Sequence, residues 1–216
     1  MVVEDGIFTT ETELGYEDLE DGLYLEFGFI PKEKRFVDLG DVYGEKGEKL
    51  SGPFVQLIED SDEEITKGIK THLYLIPDED RKAEAEIKTP EWDLLEDYGD
   101  GYIRIEADAE IDEPFIKING KSNIIEGLKV YLTLLNEDSD YIASGYPVNI
   151  QPDGSFDFVY TIDEKIEEAE ERHLLVEFVP GDHKVETVLQ HYGEEGEYLS
   201  GDLVEYGEAA KKIQLK

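Results

Sequence analysis

Tyr102-Ile103-Arg104-Ile105-Glu106-Ala107-Asp108-Ala109-Glu110-Ile111 places apolar residues at Ile103, Ile105, Ala107, Ala109 and Ile111, with polar ones between them. Successive side chains of a β-strand leave on opposite faces, so the stretch reads as a strand with one face in a core and the other in water. Phe115-Ile116-Lys117-Ile118 continues the pattern, with a turn expected at Asn119-Gly120. Leu128 to Leu135 is a further strand, ended by the acidic turn Asn136-Glu137-Asp138-Ser139-Asp140. Tyr146 to Ile150 leads into Pro152-Asp153-Gly154, Phe156 to Tyr160 leaves it, and Leu174 to Pro180 closes the series. Glu164 to Arg172 is charged and suits a short helix or a loop.

The same texture runs backwards from Tyr102. Gly6 to Thr12, Gly22 to Ile30 (stopped by Pro31), Pro53 to Ile58 and Ile69 to Ile76 read as strands, and the apolar spacing from Phe36 to Tyr43 allows a helical turn. Thr89-Pro90-Glu91 carries a helix-start signature, with Thr89 as N-cap and Pro90 at the first helical position. Trp92 is expected to pack at a junction there. Short strands, frequent turn signals and no strand-helix-strand spacing predict an all-β chain of antiparallel sandwiches.

One segment occurs twice. Tyr43-Gly44-Glu45-Lys46-Gly47-Glu48-Lys49-Leu50-Ser51-Gly52 returns 149 residues later as Tyr192-Gly193-Glu194-Glu195-Gly196-Glu197-Tyr198-Leu199-Ser200-Gly201, with eight of ten positions identical. Fixed-period similarity marks related modules in tandem. Val3 to Phe8 is matched with Gln151 to Phe156, and Leu23 to Phe27 with Leu174 to Phe178. On that alignment residues 1–77 form a partial module lacking its first strands, 78–101 a connection, and 102–216 a complete module. The chain is expected to begin inside a module, which leaves a sandwich face and strand edges open to self-association. Glycines at Gly44, Gly47, Gly52, Gly193, Gly196 and Gly201 suit positive φ, while Tyr43, Leu50, Tyr192 and Leu199 pin the loop to a core. The apolar members repeat as faithfully as the polar ones, which favours a structural connection over a partner-binding loop shown twice.

Ile116-Lys117-Ile118-Asn119-Gly120-Lys121-Ser122-Asn123-Ile124-Ile125-Glu126-Gly127-Leu128, followed by Asp153-Gly154-Ser155-Phe156, resembles the opening of immunoglobulin-like modules of secreted or lipid-anchored Gram-positive proteins. In that family a Gly-x-Thr-Asn-Leu-Pro-x-Gly-Thr turn joins the first two strands; here Ser122, Ile125 and Leu128 depart from it. The resemblance implies tandem Ig-like or fibronectin-like β-sandwiches, an extracellular or cell-envelope location, and a protein or carbohydrate partner at the cell surface.

Net charge is −35, from 55 acidic and 20 basic residues. Such a field repels polyphosphates and anionic lipid, so nucleic-acid binding is not expected. Absence of cysteine excludes disulfides and thiol chemistry. No apolar run is long enough to span a membrane. The chain carries no Gly-x-Ser-x-Gly, phosphate loop or His-Glu-x-x-His, and carboxylates are too numerous for an acid/base pair to stand out. A non-enzymatic spacer or adhesion module is therefore the expectation, without a cofactor. The alternative is a calcium-stabilised module for a cationic or carbohydrate ligand, with Asp97, Asp100, Asp138 and Asp140 as candidate ligands beside Asp60 and Asp62. His183 and His191 are expected on the surface.

Overall fold

A computed structural model describes residues 2–4, 7–9, 23–31, 40–59, 64–75, 89–183 and 185–215. Strands β1 (Val2–Glu4), β2 (Ile7–Thr9) and β3 (Leu23–Phe29) come first, then the short helix α1 (Gly40–Tyr43), β4 (Val55–Glu59) and β5 (Ile65–Leu75). They are followed by β6 (Ile105–Asp112), β7 (Phe115–Ser122), β8 (Lys129–Leu135), β9 (Tyr141–Asn149) and β10 (Ser155–Thr161). Helix α2 (Glu164–Glu168), β11 (His173–Phe178), helix α3 (Glu186–His191), β12 (Val204–Glu205) and β13 (Glu208–Gln214) complete the chain. It is mostly antiparallel β, as the alternating pattern requires.

Contacts divide the chain into two compact units. The smaller comprises residues 1–26 and 72–87, in which β1 and β2 form a hairpin with Val3 opposite Phe8. The larger comprises 27–71 and 88–216. This grouping does not follow boundaries at 77 and 101, because residues 27–71 pack with the C-terminal part. Of the connection expected at 78–101, residues 78–88 lie outside the described residues.

In the larger unit the order β10-β7-β6 makes one sheet and β12-β13-β11-β8-β9 another. Apolar residues from both meet in one cluster: Ile105, Ile116, Ile118 and Phe156 from the first, and Val130, Leu132, Leu134, Leu174, Val176 and Phe178 from the second. Each such side chain contributes about 1.5–3 kcal/mol when fully buried. The Tyr160 hydroxyl lies in that layer and donates to the Leu132 carbonyl at 2.6 Å, so its polar atom is satisfied. A third sheet has the order β3-β5-β4.

Three local expectations are corrected. Asn119 and Gly120 make no turn; they lie inside β7, paired with Asp157 and Phe156. A Cβ on Gly120 would stand 2.0 Å from the Phe156 ring, so glycine here serves close packing across the sheet. The turn that carries the family resemblance, Asn123 to Leu128, joins β7 to β8 and so crosses between sheets, whereas the first two strands of that part, β6 and β7, meet at Glu113-Pro114. Thr89 to Leu95 forms no helix, only a turn at 96–99; a single apolar turn does not offset the cost of helix nucleation.

Two elements escaped the pattern. β13 (Glu-Ala-Ala-Lys-Lys-Ile-Gln) is poor in β-formers and is held by pairing with β11 from Phe178↔Ala209 to His173↔Gln214. Helix α3 occupies the position after β11 that α1 occupies after β3.

Candidate functional site

The two copies of the repeated segment have the same backbone. In the first, Lys49 N–H donates to the Tyr43 carbonyl at 3.0 Å, Leu50 to Gly47 at 2.9 Å and Val55 to Gly52 at 3.1 Å. The second repeats each bond 149 residues on: Tyr198 to Tyr192 at 3.1 Å, Leu199 to Gly196 at 2.9 Å and Val204 to Gly201 at 3.2 Å. Glu48 accepts from the Lys46 amide at 3.2 Å, and Glu197 from the Glu195 amide at 3.0 Å. Bonds from the loop's own amides, those of Glu197 and Glu195, hold the Glu197 carboxyl below the usual range. Gly47 and Gly196 have φ of +72° and +73°, and a Cβ would lie 2.2 Å from the Lys67 carbonyl oxygen or 1.9 Å from that of Gly207. Both the conformation and the space therefore demand glycine.

The match extends backwards without a gap. The rings of Phe29 and Tyr43 meet edge-on at 5.2 Å and 75°, those of Phe178 and Tyr192 at 5.2 Å and 77°. Phe29 is thus the counterpart of Phe178, and Pro31 of Pro180, both prolines being buried. Leu25 to Phe29, rather than Leu23 to Phe27, corresponds to Leu174 to Phe178. An error of two residues preserves alternation, so period-two patterning could not expose it. The sheet order β3-β5-β4 likewise parallels β11-β13-β12. On either side of Asp5-Gly6 and Asp153-Gly154 the contexts differ: β1 pairs with β2, whereas β9 and β10 join different sheets.

Below the second loop, Tyr192 is fully buried and its hydroxyl accepts from the Ile125 amide at 3.1 Å. Burial pushes its phenol well above the ordinary range. Tyr43 is half-buried. Leu50 and Leu199 are half-buried in their loops, while Gly44 and Gly193 are buried.

Sequence reasoning missed the most unusual polar cluster. Glu59, at the end of β4, is 5% exposed and His183 3% exposed, with Glu59 Oε2 2.8 Å from His183 Nδ1 and 3.3 Å from Lys129 Nζ. Burial alone raises the Glu59 carboxyl, but the hydrogen bond and charge of His183, together with Lys129, outweigh it and hold the carboxyl below its usual range. His183 is therefore a core residue, tilted against Phe178 at 5.6 Å, and not a surface one; His191 is exposed as expected. The 3-10 turn at Pro180–Asp182 carries His183 inward. Single-sequence patterns cannot reveal a pairing across 124 residues.

The same strand end is fastened twice more. Leu57 N–H donates to Glu126 Oε1 at 2.5 Å and Glu59 N–H to the Gly127 carbonyl at 3.2 Å. Burial raises the Glu126 carboxyl, against the lowering effects of the Leu57 amide and Lys67. These bonds satisfy two amides on the open edge of β4. Trp92 donates its indole N–H to the Pro53 carbonyl at 2.8 Å, which ties the stretch before β6 to the end of the first loop.

The acidic residues proposed as calcium ligands are dispersed. Asp97 is paired with Arg104, at 2.5 Å to Nη2 and 2.7 Å to Nε. Asp100 is exposed near it, while Asp138 and Asp140 belong to the exposed turn between β8 and β9, where the Asp140 amide donates to Asn136 Oδ1 at 2.8 Å. Asp60 and Asp62 lie outside the described residues. Among the described residues, no three His, Asp or Glu side chains are grouped as a metal site. A shallow polar cleft of about 290 Å³ lies between that turn and α2, lined by Asn136, Glu137, Tyr141, Lys165 and Glu168. Among the described residues no helix is long and apolar enough to cross a membrane.

Compared with known proteins, the chain matches no family model, no curated protein and no solved structure.

Proposed function

We propose that this chain is a non-enzymatic spacer or adhesion-type module of an extracellular or cell-envelope protein, built from Ig-like or fibronectin-like β-sandwich repeats. Its fold-level support is the strand order. If β6, β7, β8, β9, β10, β11 and β13 are taken as seven successive sandwich strands, the first, second and fifth form one sheet. The fourth, third, sixth and seventh lie side by side in the other, and β12 continues that sheet beyond the seventh. Two antiparallel sheets over a shared core are the architecture of that class.

One observation carries the functional reading. The end of β4, which follows the first loop, is fixed to the body of the second repeat by the Glu59–His183–Lys129 cluster and the two amide bonds at Leu57 and Glu59. A spacer works by holding successive repeats in a set relation, and separating the partners of a buried ion pair is costly, which opposes other arrangements of this junction. Meanwhile, of the four described carboxylates with displaced titration, three serve structural partners: Glu59 holds His183 and Lys129, Glu126 caps β4, and Glu197 closes its own loop, while Glu177 is raised by its burial and by Glu208.

Protease shaving of intact producing cells tests the location, read by loss of the protein from the surface while cytosolic markers persist. Full protection in unbroken cells, with release only on lysis, overturns the envelope assignment. Turnover of any ester, glycoside or peptide substrate that disappears with a point substitution overturns the non-enzymatic one.

A further inference from the structure

The two loops differ at one edge. Along the second, Gly101-Tyr102-Ile103 passes in parallel and makes one isolated bridge, Tyr102 to Ser200. Ser200 N–H donates to the Gly101 carbonyl at 2.7 Å, and Ile103 N–H donates to the Ser200 carbonyl at 2.9 Å. Gly101 fits because a Cβ there would meet the Tyr198 carbonyl oxygen at 2.5 Å. Ile103 enters the core at 1% exposure, and Tyr102 lies over Gly201, 3.5 Å from where a Cβ would stand.

The counterparts of Ser200 and Gly201 are Ser51 and Gly52. Their flanking bonds match, so the backbone has the same form; both serines are exposed, but Gly52 is exposed where Gly201 is half-buried. A Cβ built on Gly52 meets nothing within 4 Å among the described residues, and neither the Ser51 amide nor its carbonyl is bonded among them. The first loop therefore presents, already shaped, the donor and acceptor that the second loop uses. Charge differs too: Lys46 and Lys49 stand where the second loop has Glu195 and Tyr198, so four charged side chains cancel instead of three acids adding. In a chain of net charge −35 this is a place where an acidic strand approaches without local repulsion.

We infer that Ser51-Gly52 is a docking edge for an extended segment of another protein carrying Gly-aromatic-β-branched residues flanked by acids, as residues 97–106 of this chain do. Recognition is strand addition: main-chain bonds to Ser51 hold the segment, its aromatic ring covers Gly52, and its β-branched side chain turns inward. The edge is read from the two loops alone and stands whatever the protein's location.

The test is amide exchange of the isotope-labelled full chain with a synthetic peptide of residues 97–106. In the free protein the Ser51 amide exchanges about 100-fold faster than that of Ser200, because among the described residues only the latter is bonded. Millimolar peptide slows Ser51 exchange about tenfold and shifts the Ser51 and Gly52 resonances, leaving Ser200 and Gly201 in place. A scrambled peptide does neither, and Ser51→Pro, which removes the donor, abolishes the shift. Ser51 protection in the free protein at low concentration overturns the inference, as does absence of shifts in the wild-type chain. Protection that grows with protein concentration alone puts a second copy there and overturns the assignment to a different partner. The wild-type titration decides even if Ser51→Pro fails to fold.

Discussion

Glu59→Gln isolates the junction between the end of β4 and the segments that carry Lys129 and His183. The substitution keeps the volume of a side chain that is only 5% exposed, but it leaves His183 Nδ1 and Lys129 Nζ facing a neutral amide. Removing one partner of a buried ion pair costs about 3–5 kcal/mol. Lys129 keeps 24% of its side chain in contact with water and is partly screened, so the lower end, about 3 kcal/mol, is expected. At about 2–4 °C per kcal/mol for a chain of this size, Tm falls by about 6–12 °C at pH 7. The pH dependence has a definite sign. The folded Glu59 carboxyl lies below its unfolded value, so its stabilisation is complete above the unfolded value of about 4.3 and disappears as pH falls through the folded one. The gap between wild type and variant is thus full at neutrality and closes in acid. Glu126 and Glu177, whose carboxyls are raised by burial, act in the opposite sense, but they are common to both proteins and cancel in the difference. Calorimetry across a pH series, with His183→Gln and the double variant, completes the cycle, and the double variant should cost less than the sum. A difference under about 0.5 kcal/mol at pH 7, or one that widens in acid, refutes the reasoning.

Further outcomes follow from the same contacts. Tyr192→Phe leaves the buried Ile125 amide without its acceptor and should cost about 1–3 kcal/mol in urea unfolding, whereas Tyr43→Phe, which keeps the ring contact with Phe29, should cost under about 0.5 kcal/mol. Gly196→Ala combines φ of +73° with a carbonyl oxygen 1.9 Å from the new carbon, and should lower stability by at least about 2 kcal/mol by the same measurement. Raising sodium chloride from about 0.01 to 0.5 M should raise Tm, because the Debye length contracts from about 30 Å to a few ångströms and relieves self-repulsion at net charge −35. Calcium in millimolar excess should then add no more to Tm than magnesium at equal ionic strength; a rise specific to calcium and reversed by EDTA would restore Asp97, Asp100, Asp138 and Asp140 as ligands.

Local order was legible because it is written in short range. Alternation from Ile103 to Ile111 predicts a strand wherever one face is buried, and β6 shows that pattern. The eight-of-ten match from Tyr43 and from Tyr192 marks one backbone used twice, since the glycines at 47 and 196 and the leucines at 50 and 199 meet the same local demands. Composition, too, settles what no fold can change: a chain without cysteine forms no disulfide, and one of charge −35 repels polyanions.

Other features depend on which distant residues arrive together, and here short-range signals misled. Asn119-Gly120 has turn chemistry, yet the Phe156 ring needs the space that only glycine leaves within a strand. His183 follows a polar-looking Gly-Asp, yet Glu59 gives its imidazole a reason to be buried. β13 is poor in strand-forming residues and is a strand because β11 offers it a ladder. Sequence alone determined the alternation, the repeated loop and the charge, each a property of neighbouring residues or of simple totals. Tertiary structure decided which edge strand is capped, which histidine is inside and which serine amide has no partner among the described residues, because a burial or pairing energy exists only once both partners are in place.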